Sequence, residues 1–462
     1  MEKYDLVIIG GGPGGYEAAL EASKVYGMKV ALVENRELGG TCLNRGCIPT
    51  KTLLHSADLL YELKNHGETI GLKGYGDIAC DMAALKQRKD DVVTQLVNGI
   101  GSLMKSGKVS VYKGTGTIID ANLVRVSLNE GGTEDLECTN VLIATGSVPA
   151  VPPIPGADSP RVITSDELLD LDHDIDELII IGGGVIGCEF ASIFNALGTK
   201  VTIIEALPSI IANLDKEIGR SLSMILKKNR GIDIHTGAMV TSIREDGDKV
   251  VCCYKEKDAE CEISGDLVLM SVGRKANTKG LISDESSDEI KNMLMERGCI
   301  TVGPNYMTSV AGVFAIGDVI GGIQLAHVAT AEGRCAVAFM NGALPPCDIR
   351  CIPSCIYTSP EIASVGISAD EAKEQGLDVI TKKYPMSANG KTVLSLQERG
   401  FIKVIADRES GKVLGAQMMC ARATDMISQF AQAIVNGLTL EDMSKVIYPH
   451  PTFSEGIGES VR

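Results

Sequence analysis

One pattern occurs twice in this chain, and few folds can hold it. Leu6-Val7-Ile8-Ile9 is a continuous apolar run, as in a parallel strand buried on both faces. Gly10-Gly11-Gly12-Pro13-Gly14-Gly15 follows, with GxGxxG at Gly10, Gly12 and Gly15. A helix pattern over 16–26, a second strand over 29–33 and Glu34 complete the unit. The pattern returns as a strand over 178–181, then Gly182, Gly184, Val185, Ile186 and Gly187. A helix over 188–197, a strand over 200–204 and Glu205 close it. The glycines let backbone approach a pyrophosphate at a helix N-terminus, and the acid can accept a bond from a ribose hydroxyl. A tight structural turn explains one such loop. Two loops, each with strand, helix, strand and acid in step, point to two dinucleotide sites on an α/β fold. Glu205 would repel a 2′-phosphate and no Arg directly follows it, so the second site is expected to prefer NAD to NADP.

A second stretch carries thiol chemistry. Gly39-Gly40-Thr41-Cys42-Leu43-Asn44-Arg45-Gly46-Cys47-Ile48-Pro49-Thr50-Lys51 sets two cysteines five residues apart. Pro49 suits a first helical turn, and apolar residues recur on one side from Leu53 to Tyr61. Cys47 is therefore expected near a helix N-terminus, where the dipole and Lys51 favour a thiolate and a redox pair. Three blander readings compete. The chain has 14 cysteines, so the pair could be incidental. His55 could make it half a zinc site, but no second Cys/His pair follows at ligand spacing. A structural disulfide would go with a secretory signal, which the sequence does not show. Near the other end, His450 and Glu455 flank a proline turn. The carboxylate can bond one imidazole nitrogen and raise the basicity of the other, although a lone His on a polar segment is more often a surface residue.

The remaining landmarks are weaker. Gly114 and Gly116 follow a strand, and segments 123–128 and 134–138 suggest a hairpin layer. The strand over 141–143 ends in Thr145-Gly146-Ser147, a small-residue turn that lets a cofactor pass close to backbone. Residues 151–156 read as a linker, and a later strand exits at Gly273. Gly317-Asp318 ends another strand, with Asp318 either a helix cap or a ligand. Beyond about residue 345, antiparallel strands are expected over 352–356, 379–384, 401–406 and 413–419, with Cys351 and Cys355 as free thiols.

The cysteine segment resembles the active-site segment of the flavin-dependent pyridine nucleotide–disulfide oxidoreductases, the dihydrolipoamide-oxidising branch nearest, over essentially the whole chain. That resemblance implies two Rossmann-like domains for FAD and NAD plus a C-terminal α+β dimerisation domain. The expected parts are FAD binding over 1–150, NAD binding over 151–274, a second FAD-binding or central part over 275–344 and dimerisation over 345–462. FAD would meet Gly10, Gly12, Pro13, Gly14, Gly15, Glu34, Gly40, Thr41 and Lys51. It would also meet Gly114, Gly116, Thr145, Gly146, Ser147, Asp318 and Ala326. NAD would meet Gly182, Gly184, Val185, Ile186, Gly187, Glu205, Val240 and Gly273. The resemblance further implies that Cys42 is the interchange thiol, that Cys47 faces the flavin and that Lys51 pairs with Glu189. His450 and Glu455 would serve the cysteines of the other subunit in a homodimer. The activity implied is oxidation of dihydrolipoamide on a lipoyl-bearing protein with NAD as acceptor. A reductase for glutathione or another small thiol is the alternative. Arg45 and Tyr448 depart from the family pattern.

Composition bounds the rest. At 462 residues the chain suggests about three domains. A net charge of −16 argues against nucleic acid and anionic membrane as partners and permits a basic protein. No apolar run reaches about 18 residues. The start runs straight into a strand pattern with no signal-peptide architecture, so a cytoplasmic location and free thiols are expected. No metal site is expected.

Overall fold

A computed structural model describes residues 2–398 and 400–462. The chain divides into two compact units. One holds the residues through Thr52, Gln87–Ala150 and Gly273–Ile349; the other holds Leu53–Lys86, Val151–Val272 and Arg350–Arg462.

The first unit is built on a sheet whose central strand is Glu2–Ile9. It pairs in parallel with Val30–Glu34 on one side and Thr133–Ile143 on the other. Ser110–Asp120 and Val313–Ala315 add further parallel strands at the two flanks. Leu6 to Ile9 are all buried, as an uninterrupted apolar run in a two-sided sheet requires. Ser110–Asp120, Leu123–Leu128 and the start of Thr133–Ile143 form the expected antiparallel layer. Helix Pro13–Leu20 starts at the proline and gives way to a wider π turn, Glu21–Val25, where the sequence pattern suggested one continuous helix.

The second unit repeats the theme. Its parallel sheet runs Asp233–Thr236, Lys200–Glu205, Glu177–Ile181, Leu267–Met270, Val162–Ile163. Helix Val185–Leu197 follows the second glycine loop and begins three residues before the pattern indicated. A separate antiparallel sheet runs Ser354–Ile356, Ile362–Gly366, Val413–Met419, Phe401–Asp407, Val379–Pro385. Helix Ala423–Val435 covers it through Met426, Ile427 and Phe430.

A buried ionic group joins helix Lys216–Lys228 to strand Phe401–Asp407. Asp215 caps that helix by accepting from the Glu217 N–H at 2.9 Å. Lys403, 7% exposed, reaches Asp215 at 3.0 Å and Glu217 at 2.8 Å. Lys383 also pairs with Glu217. Burial alone would lower the Lys403 pKa, but its bonds to Glu217 and Asp215 outweigh it and the net shift is upward. Burial likewise opposes, without overturning, the lowering of Glu217 by Lys383 and Lys403. Lys403→Met should cost about 3 kcal/mol, because it strands Asp215 without its cation. The Lys403 contribution is complete below the ordinary lysine pKa and is lost as pH rises through the raised one. Denaturant melts of the variant at pH 7 check this; a loss under about 1 kcal/mol would contradict it.

Candidate active site and dinucleotide cradles

The two cysteines lie in the first unit on consecutive short-range elements. Cys42 sits in a six-residue helix, Gly40–Arg45, which sequence reasoning did not separate from the loop. Cys47 opens helix Cys47–His66, whose Leu53, Leu54, Ala57 and Leu60 are buried. Both cysteines are thiols, Cys42 half-buried and Cys47 exposed, and their side chains hydrogen-bond to each other. That bond, then burial and the charge of Cys47, push the Cys42 pKa strongly upward, against smaller lowerings by the Cys47 backbone N–H and then by Lys51. Cys47, exposed at the positive end of its helix, is the sulfur better placed to carry a thiolate. Arg45 is held by Glu37 at 2.7 Å, so its charge near the pair is partly compensated.

The glycine loops of the two units are built alike. Gly10 and Gly182 have φ of +110° and +109°, and a Cβ at either would sit 2.2 or 2.5 Å from the carbonyl oxygen of Ala144 or Ser271. Glu34 accepts from the Gly11 N–H and, through its other oxygen, from the Arg36 N–H, both at 2.7 Å. Glu205 does the same with Gly183 at 2.5 Å and Leu207 at 2.6 Å. Both acids thus brace the loops as well as facing them. Helices Pro13–Leu20 and Val185–Leu197 begin after Gly12 and Gly184 with no side-chain cap, so their first N–H groups stay open to an anion. Gly40, at φ +58°, runs so close to Gly12 that a Cβ there would lie 2.6 Å from the Gly12 Cα.

Thr145 Oγ1 is buried with no hydrogen-bond partner among the described residues. Ser147 donates to Asp318, which lies in a 3-10 turn, Gly317–Ile320, and does not cap helix Ala326–Met340. Ala326 starts that helix. Thr41 lies in the helix of Cys42, while Gly114 and Gly116 lie in strand Ser110–Asp120. Gly146 has φ +68° and Gly273 φ +126°.

In the second unit, Val185 and Ile186 form the first turn of their helix, and Val240 is buried in a layer with Ile204 and Met270. Glu189, 4% exposed, accepts from the Tyr357 N–H at 3.0 Å. His450 Nδ1 meets Glu455 Oε1 at 2.8 Å, and Glu455 Oε2 accepts from Thr452 N–H at 2.9 Å. Those two bonds, the backbone one first, hold the Glu455 carboxyl below the usual range. His450 itself is exposed, with its second nitrogen directed away from Glu455.

A family model described as pyridine nucleotide-disulphide oxidoreductase matches residues 4–333, and the dimerisation-domain model of that family matches 352–461. The chain belongs to the pyridine nucleotide-disulphide oxidoreductases. This oxidoreductase is 41% identical to a dihydrolipoyl dehydrogenase of Bacillus subtilis, across 99% of this chain and 97% of the relative. Its fold matches LpdA of Mycobacterium tuberculosis with a TM-score of 0.91 at 27% identity, over 100% and 99% of the two chains. It also matches the HOCl-induced flavoprotein disulfide reductase RclA of Escherichia coli, TM-score 0.87 at 30% identity, over the same shares. Among the described residues, no helix of this oxidoreductase is long and apolar enough to cross a membrane.

Sequence reasoning left Arg274 out of the candidate set. Its Nε donates to Ser147 Oγ at 2.7 Å and its second nitrogen to Ser147 O at 2.8 Å. The available signal was a fixed cation directly after the Gly273 strand exit.

Proposed function

We propose that this chain is an FAD-dependent, NAD-linked dihydrolipoamide dehydrogenase acting on a lipoyl-bearing protein, working as a homodimer through its dimerisation domain. The observation that carries the reading is the hydrogen-bonded Cys42–Cys47 pair at a helix start, in a chain matching such a dehydrogenase over its full length.

The residues of the first unit suit FAD. The open N-terminus of helix Pro13–Leu20 suits a pyrophosphate, Glu34 and Asp318 offer carboxylates to hydroxyls, and the orphaned Thr145 hydroxyl needs a partner. In the second unit the same cradle, with Glu205, suits NAD. Bound FAD supplies the two-electron link between thiols and nicotinamide.

The protein's own part is sulfur and proton handling. In the disulfide form, a dihydrolipoamide thiol gives its proton to His450 of one subunit and attacks Cys42 Sγ of the other. The Cys42–Cys47 bond breaks and Cys47 leaves as a thiolate, stabilised by the helix start and Lys51. Protonated His450 then gives its proton to the departing Cys42 while the second substrate thiol, losing its own proton to the same imidazole, attacks the mixed disulfide and releases lipoamide. His450 ends the half-reaction protonated. The substrate has lost two electrons and the pair has gained them. Glu455 keeps the imidazole oriented throughout.

Anaerobic mixing with dihydrolipoamide and NAD should yield NADH, whereas reduced glutathione should not; the reverse result would favour the small-thiol reductase. Comparison of NADH with NADPH is a separate check. Glu205 should favour NADH in kcat/KM by on the order of 10²-fold or more, the cost of facing a carboxylate with a phosphate. A preference for NADPH would overturn the role given to Glu205.

A further inference from the structure

We infer that Arg274 is a positioning residue for FAD, acting through Ser147 on Asp318. The inference rests on the reading that Asp318 and Ser147 belong to the FAD site. Ser147 is 6% exposed and its hydroxyl has one proton. Arg274 Nε donates to that oxygen at 2.7 Å, and a second guanidinium nitrogen donates to the Ser147 carbonyl at 2.8 Å. A guanidinium has no acceptor, so the only direction left for the hydroxyl proton is toward Asp318, where the bond is made. The order is therefore fixed from cation to hydroxyl to carboxylate. One oxygen of Asp318 is fully engaged and oriented, while the other accepts from no described residue and can take a cofactor hydroxyl.

The segment around Arg274 is held for this purpose. Arg274–Ala276 pairs antiparallel with Ser147–Pro149, and Asn277 N–H bonds the Gly146 carbonyl at 2.9 Å. Asn277 Nδ2 also reaches the Thr145 carbonyl at 3.3 Å. The Thr145-Gly146-Ser147 turn is thus clamped along its length from one short strand. A lysine could supply the charge but not the planar two-nitrogen fork that places one donor on each Ser147 oxygen.

The test is the rate of FAD release from holoprotein on dilution, followed by the rise in free-flavin fluorescence. Arg274→Met should release FAD roughly tenfold faster, the scale of one lost charge-assisted bond. Ser147→Ala should do the same. The double variant should be no faster than Arg274→Met alone, since that variant already removes the cation from which the Ser147 hydroxyl takes its direction. Arg274→Lys should fall between wild type and Arg274→Met. Multiplying effects in the double variant, or an unchanged rate in Arg274→Met, would overturn the relay. An unchanged rate in Asp318→Ala would overturn the site assignment itself, and the relay with it.

Discussion

Cys47→Ser is expected to lower dihydrolipoamide oxidation by more than about 10⁴-fold while FAD stays bound. The expectation follows from the division of labour within the pair. Burial disfavours charge on Cys42, whereas Cys47 is exposed, so Cys47 is the sulfur better placed to carry negative charge. It stands at the first residue of a 20-residue helix, where the positive end of the helix dipole favours an anion. A serine hydroxyl in its place cannot form the disulfide and is far too weakly acidic to leave as an anion. NADH-dependent reduction of a soluble dye does not require the thiols and should continue. The two assays together separate a lost thiol from a lost fold. Dihydrolipoamide turnover within tenfold of wild type would end the dithiol scheme.

His450→Gln should come next, with a loss of roughly 10²–10⁴-fold in kcat for dihydrolipoamide. The imidazole is bonded at Nδ1 by Glu455, so Nε2 is the nitrogen available to the substrate. Glutamine keeps the size and one polar contact but accepts no proton at neutral pH. Because Thr452 and His450 hold the Glu455 carboxyl below its usual pKa, the orienting charge persists through mildly acid pH. Glu455→Gln should therefore be milder than His450→Gln, with the dye assay again unchanged. Equal rates for wild type and His450→Gln would remove His450 from the reaction.

Features set by neighbouring residues were readable before any coordinates. The apolar runs 6–9 and 178–181, the glycine loops and the helix carrying Pro49 all follow from local pattern. Features set across the chain were not. The six-residue helix under Cys42 has no period long enough to register. The Ser147–Asp318 bond spans 171 residues and the Arg274–Ser147 bond 127, distances over which a sequence gives no pairing rule. Glu34 and Glu205 could be read as acids after a strand, but their bonds to loop amides depend on the folded turn. Asp318 could be read equally as a helix cap, and only the intervening turn of Gly317–Ile320 separates those meanings.

Those loop amides bear on how freely the protein could exchange one nicotinamide for the other. Glu205 is 9% exposed and its two oxygens take the N–H groups of Gly183 and Leu207. Trading it for a small neutral residue, the obvious way to admit a 2′-phosphate, would orphan the buried Gly183 amide at about 1–3 kcal/mol and leave the Leu207 amide of the exposed loop without its tie. A lineage or an engineer seeking the phosphorylated coenzyme must first rehouse those amides. Coenzyme choice in this protein is as much a matter of staying folded as of recognition.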